Sequence, residues 1–261
     1  VRYFAARSLG RHASPEALPA LAQVAQGDPA QHVRVSAIEA LGRIGGPRAV
    51  AVLAPLAEAE DRDTARAALA ALGMVSHPDA LPPLLSVLRS SQPARQLDAV
   101  RALAERGGSG AAGALQWVAT SDPNEEVARA AIEALARVAT PESFAALVSL
   151  TANEARREAC IAALAQAGEE YAEQIARGLS HPQTAVRCAV VEALARMKRP
   201  RATELLATAL DDPEATVRLA AIQALDRLGS HRAERQLAAL ARGDPDPAVR
   251  RAAQVALQHK T

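Results

Sequence analysis

The stretch Val33-Arg34-Val35-Ser36-Ala37-Ile38-Glu39-Ala40-Leu41 decides the fold, because the chain keeps returning to it. Val217-Arg218-Leu219-Ala220-Ala221-Ile222-Gln223-Ala224-Leu225 repeats it closely, and so does the run from Val186 to Leu194. With the last Leu as anchor, the echoes fall at Leu9, Leu41, Leu72, Leu103, Leu135, Leu164, Leu194, Leu225 and Leu257, about 29 to 32 residues apart. A fixed period in that range is the mark of a repeat array, in which each unit buries its apolar stripe only against its neighbours. Within the quoted stretch, Val33, Ala37, Ala40, Leu41 and Ile44 share one face of a helix. A second apolar slot recurs twelve residues after the anchor, at Leu21, Leu53, Leu84, Leu115, Leu147, Leu206 and Leu237. Each unit therefore reads as two short helices, each apolar on one stripe.

Turn chemistry separates the two. Gly27-Asp28-Pro29 breaks the first helix, and the restart recurs as Asp122-Pro123, His181-Pro182, Asp212-Pro213 and Asp244-Pro245. Asp suits an N-cap and Pro the first helical position, so these pairs are expected to open the second helices. Gly45-Gly46 closes one of them. Eight pairs follow, at roughly 15–44, 47–75, 78–106, 109–138, 141–167, 169–197, 200–228 and 231–259, behind an orphan second helix at about 1–12. Val1-Arg2 fills the slot of Val33-Arg34, so the chain is expected to be a single solenoid domain, residues 1–261, cut from a longer polypeptide.

Composition agrees. About a quarter of the 261 residues are Ala, aromatics make up 2%, and β-branched residues are few. This favours helices over a sheet. The net charge of +1 speaks against a dedicated nucleic-acid binder, and no apolar run is long enough to span a membrane. Two Cys exclude a disulfide scaffold and fit a reducing compartment, so a cytoplasmic location is expected. Abundant Ala and Arg with only two lysines, Lys198 and Lys260, fit a GC-rich bacterial genome.

The pattern Asp-Pro-x-x-x-Val-Arg-x-x-Ala-x-x-Ala-Leu resembles the HEAT repeat, in the short bacterial form related to phycobilisome-lyase repeats, over essentially the whole chain. The resemblance implies an all-α, right-handed α-solenoid of about eight helix pairs plus the orphan, with second helices on a concave side. It also implies a hydrogen-bonded ladder between units, with Asp28, Asp212 and Asp244 in the Asp slot and Arg34, Arg218 and Arg250 in the Arg slot. Asp122 is followed by Ala128 where Arg belongs, His181 replaces Asp ahead of Arg187, and Ala65 and Gln96 leave the Arg slot empty. The ladder is thus expected to lapse through units 2 to 4. A further row, Arg11, Arg43, Arg137, Arg196 and Arg227, lies two residues after the anchors and is read as cations facing helix C-termini.

Slots six and two residues before each anchor point to the exposed face of the second helices. They change from unit to unit while the core slots do not. This variation marks Arg66, Arg101, Arg129, Glu133, Glu158 and Glu192 as candidate protein-binding residues. Residues 122–173 carry ten Asp or Glu against four Arg, an acidic stretch that would attract a basic segment. Trp117, the only Trp, sits two residues after Leu115, where other units hold small or polar side chains. It is expected to be partly exposed on a first helix and to serve as an interaction anchor.

Catalytic readings find little. The six His (His12, His32, His77, His181, His231, His259) lack metal-ligand spacing, and no His-Glu dipeptide occurs. Cys160 falls on a core slot and Cys188 on the exposed row. Gly107-Gly108-Ser109-Gly110 lacks the Lys of a phosphate loop and reads as a flexible turn. The expectation is a protein-interaction scaffold or adaptor, not an enzyme, with no metal and no cofactor. Its partner is expected to be another protein or another domain of its own chain. The alternative is a lyase-like or chaperone-like subunit for phycobiliproteins, and the least favoured reading is a nucleic-acid binder along the Arg row.

Overall fold

A computed structural model describes residues 1–230 and 233–259; His231 and Lys260 lie outside the described residues. Among the described residues there are seventeen α-helices and no strand. The chain is an α-solenoid, and it divides into two compact units, residues 1–138 and residues from 139 onward.

In unit 1, α1 (Arg2–His12) precedes four pairs: α2 (Leu18–Gly27) with α3 (Gln31–Ile44), α4 (Gly46–Ala57) with α5 (Arg62–Met74), α6 (Leu81–Leu88) with α7 (Pro93–Arg106), and α8 (Gly108–Ser121) with α9 (Glu125–Val138). Unit 2 holds α10 (Pro141–Leu150) with α11 (Glu154–Ala165), α12 (Ala172–Ala176) with α13 (Thr184–Met197), α14 (Pro200–Ala207) with α15 (Ala215–Arg227), and α16 (Glu234–Gly243) with α17 (Pro247–Gln258). Consecutive second helices pack side by side, α1 to α3 to α5 to α7 to α9 in unit 1 and α11 to α13 to α15 to α17 in unit 2. These bounds follow the periodicity to within a few residues.

The anchors form the core. Leu41, Leu72, Leu103, Leu135, Leu164, Leu194 and Leu225 are completely buried, as are their counterparts Leu53, Leu84, Leu115, Leu147, Leu206 and Leu237 on the first helices. Leu9 and Leu257 are more open, because α1 and α17 each have a second-helix neighbour on one side only. Ala and Gly around the anchors bring the helices close together. A Cβ on Gly73 would lie 2.6 Å from the Ala102 carbonyl oxygen, and one on Gly10 would lie 2.7 Å from Ala40.

Two turn expectations change. Asp28 is not an N-cap: it lies three residues ahead of α3, and its Oδ1 accepts from the Ala30 N–H at 2.9 Å. Asp122, Asp212 and Asp244 likewise accept from the N–H two residues on, and His181 does so through Nδ1. The side-chain caps stand later, at Asn124 for α9 and Asp246 for α17. The Gly107–Gly110 segment is not a loop either. Only Gly107 separates α7 from α8, and Gly108 already begins α8. Both have positive φ, which Gly tolerates and other residues resist.

Candidate functional site

Within each unit, the exposed slots of the second helices lie on one face. Residues spaced by four on a helix share a face, and stacked neighbours bring those faces edge to edge. Arg66, Arg101, Arg129, Glu133 and Glu158 are exposed there, and Glu192 is half-buried. In unit 1 the charges pair only within their own helices. Arg66 bonds Asp63 at 3.0 Å, Arg101 bonds Asp98 at 3.1 Å, and Arg129 meets Glu133 at 3.4 Å.

Unit 2 connects its row across helices. Arg196 on α13 holds Glu158 on α11 and, through Nε, Glu192 at 2.8 Å. Arg227 on α15 reaches the other Glu192 oxygen at 2.6 Å. Partial burial would raise the Glu192 carboxyl, but hydrogen bonds from Arg227 and Arg196 outweigh it and hold the group below the usual carboxylate range. All five of the Arg row, Arg11, Arg43, Arg137, Arg196 and Arg227, lie in the last turns of their helices, as expected, and Arg196 and Arg227 in addition donate to carboxylates.

The ladder along the turns is the other ordered polar system. Arg187 donates from Nε and Nη2 to the two oxygens of Asp212, at 2.8 and 3.0 Å, and from Nη1 to the carbonyls of His181 and Pro182. Arg218 repeats this with Asp244 at 2.8 and 2.9 Å and with the carbonyls of Asp212 and Pro213. Such forked pairs are strong and directional. Both are buried. In unit 1, Arg2 pairs with Asp28 and Arg34 with Asp61.

The expected lapse is only partial. Gln96 keeps its rung, donating from Nε2 to Asp122 at 2.8 Å and to the Leu88 carbonyl at 3.0 Å. At Ala65 the rung is missing. By register Ser90 stands opposite, and its Oγ is buried with no hydrogen-bond partner. Arg95, one repeat further on, reaches back to the Ala59 carbonyl at 2.7 Å, the same type of acceptor that Arg34 finds at Asp28.

Trp117 is 49% exposed on α8, a first helix, as its register requires. It borders a cleft of about 250 Å³ between α6 and α8, with Leu85, Leu88 and Arg89 on one side and Gly110, Gly113 and Ala114 on the other. Sequence reasoning missed this cleft. Its trace is the run of small residues at Gly110, Gly113 and Ala114, one face of a helix without side chains to fill the space.

Among the described residues no group of three or more His, Cys, Asp or Glu is placed to hold a metal. No described helix is long and apolar enough to cross a membrane. Burial pushes the Cys160 thiol up to about 12, so it behaves as a small apolar core residue. Cys188 is half-buried, and its thiol is also raised, by burial first and then by Asp212.

The family model for HEAT repeats matches residues 1–73, 54–119, 81–165 and 172–258. The chain belongs to the HEAT repeat family. Comparison with curated protein sequences finds no significant match. Among solved structures, human deoxyhypusine hydroxylase in complex with glycerol is similar at 25% identity, covering 97% of this chain and 99% of that one, with a TM-score of 0.44. The CpcE–CpcF complex of phycocyanin lyase from Nostoc sp. PCC7120 is similar at 19% identity, covering 100% and 89%, with a TM-score of 0.41. A designed armadillo repeat protein is similar at 22% identity, covering 94% and 100%, with a TM-score of 0.34. The hydroxylase corrects one expectation. The chain was expected not to be an enzyme, yet an enzyme stands among the proteins it resembles. A HEAT-like architecture is no ground for excluding catalysis, and by itself it demonstrates none.

Proposed function

We propose that this HEAT repeat chain is a scaffold that holds a protein partner on the exposed face of its second helices. The observation that carries this reading is the contrast between two sets of slots on the same helices. The anchor slots hold Leu in every unit and, between the terminal helices, are fully buried. The slots six and two residues before them hold Arg66, Arg101, Arg129, Glu133, Glu158 and Glu192 among apolar residues such as Val35, Leu97 and Leu219. Neighbouring faces of mixed chemistry can match an irregular surface, which is what protein recognition requires. HEAT repeats generally mediate protein interaction, in keeping with this assignment.

The test is affinity capture with the full chain and with a variant carrying Arg66→Ala, Arg101→Ala, Arg129→Ala and Glu133→Ala. These side chains are exposed, so the fold should survive, as circular dichroism would verify. Loss of the captured partner from the variant is the expected result. An unchanged partner set overturns the assignment to this face.

A further inference from the structure

We propose that the cleft between α6 and α8 is a docking pocket for a protein segment carrying one large apolar side chain beside a carboxylate. This surface belongs to the first helices, so the proposal stands apart from the second-helix face and can fail without it. Three observations carry it.

The first is shape. Gly110 and Gly113 offer no side chain and Ala114 only a methyl, which leaves about 250 Å³ open between the helices. That is below the ~300–1,000 Å³ typical of small-molecule sites and suits a single side chain. The second is chemistry. Leu88 is 1% exposed and forms an apolar floor, Leu85 is half-buried, and Trp117 forms a wall with nearly half its surface in water. An exposed Trp beside a preformed apolar cleft is the composition of a binding hot spot. Its indole N–H can also donate to a peptide carbonyl.

The third is charge. Arg89 lies at the rim, exposed and without a carboxylate partner among the described residues, and no acidic side chain lines the cleft. An apolar residue entering the cleft thus places its neighbour within reach of an unpaired guanidinium. A carboxylate there is favoured and an ammonium is repelled. The occupant is therefore an acidic-apolar segment.

The experiment is selection of a random 12-residue peptide library, displayed on phage, against the full chain. Enriched peptides should carry Leu, Phe or Met beside Asp or Glu. A synthetic Trp-free peptide of that kind should shift the emission of Trp117, the chain's only Trp, to the blue. Its binding should weaken at least tenfold in Arg89→Glu and in Gly113→Leu. The second variant keeps both Trp117 and Arg89 but fills the cleft. A Cβ at Gly113 meets nothing within 4 Å, so the helix can accept it. A selection that returns no binder, peptides that leave Trp117 emission unmoved, equal binding to Gly113→Leu, or a preference for basic peptides would overturn the proposal. So would a dimer that Gly113→Leu converts to monomer, because the occupant would then be a second copy of this chain.

Discussion

Residues 1–138 and residues from 139 onward stack the same helix pair, but different interactions hold the stacks. In unit 1 the slot after the anchor is Gly10, Gly42 and Gly73 on the first three second helices, where the facing Ala of the next second helix sits where a Cβ would be, and Ala104 and Ala136 on the last two. In unit 2 that slot holds no Gly but Ala165, Ala195, Asp226 and Gln258. There the second helices are tied by Glu158, Arg196, Glu192 and Arg227 on one face and by Arg187–Asp212 and Arg218–Asp244 along the turns. Unit 1 relies more on steric fit and tolerates a missing rung at Ala65. The comparison teaches that one repeat pattern can be stabilised by dispersion at close approach or by desolvated ion pairs, and that the two should fail differently.

The largest effect should come from unit 2. Arg218→Ala leaves Asp244 buried without its partner, which costs about 3–5 kcal/mol, the range for breaking one side of a buried pair. Replacing both residues, Arg218→Met with Asp244→Leu, should cost far less. The same truncation at Arg34 in unit 1 should also cost less, because its single 3.2 Å contact to Asp61 is more open to solvent. Urea midpoints, with hydrogen exchange to localise the loss to α15–α17, measure all three. Equal losses at Arg34 and Arg218 would erase the distinction between the units.

Next comes a substitution whose sign should reverse between the halves. Gly73→Ala normally helps a helix, but here the new methyl would lie 2.6 Å from the Ala102 oxygen. Overpacking of this kind costs about 1–3 kcal/mol. At the equivalent slot in unit 2, Ala195→Gly should lose about 0.5–1 kcal/mol through chain entropy. If Gly73→Ala is stabilising, close approach does not set the helix spacing in unit 1.

Acid sharpens the comparison. The hydrogen bond from Arg218 holds the Asp244 carboxyl below the usual carboxylate range, against the effect of burial. A folded-state value below the unfolded value of about 3.9 means that the contribution is present above that pH. It is lost as pH falls through the lower, folded value. The stability gap between the wild type and the Arg218→Met, Asp244→Leu double variant should therefore hold steady from pH 7 to about 5 and change only below about 4. A gap that moves near neutrality would assign it to another group.

The fold was legible in the sequence because one residue type, Leu, occupies one slot at one period. Stacked helix pairs bury Leu41 and Leu53 together. Trp117 was legible for the same reason: its slot is occupied by small or polar residues in the other units. The turns were misread. Asp28-Pro29 has the composition of a helix start, yet Asp28 belongs to the preceding turn and receives Arg2 from the previous unit, a non-local pairing that local propensity cannot express. Gln96 looked like a vacancy because a neutral amide was not weighed as a stand-in for Arg. The Gly10, Gly42, Gly73 series was present at the repeat spacing, but its meaning depends on which residue faces it. The α6–α8 cleft escaped because it is defined by side chains that are absent.

The smallest effect should come from the missing rung. Ser90 Oγ is removed from water and receives no hydrogen bond in return, because Ala65 stands where Arg34, Gln96, Arg187 and Arg218 stand on other second helices. A hydroxyl in that position is a cost without compensation, and replacing it by hydrogen removes the cost while leaving a void smaller than a methyl group. Ser90→Ala should therefore be neutral or stabilising by up to about 1 kcal/mol, in contrast with Gln96→Ala one rung further on, which removes the buried bond from Gln96 Nε2 to Asp122 and should cost about 1 kcal/mol. Arg95 already supplies the turn with the bond to the Ala59 carbonyl that an Arg at position 65 would make, so nothing else in the region depends on the hydroxyl. A clear loss of stability in Ser90→Ala would mean that its Oγ has a partner in solution. The gap in the unit 1 ladder would then be a rung after all.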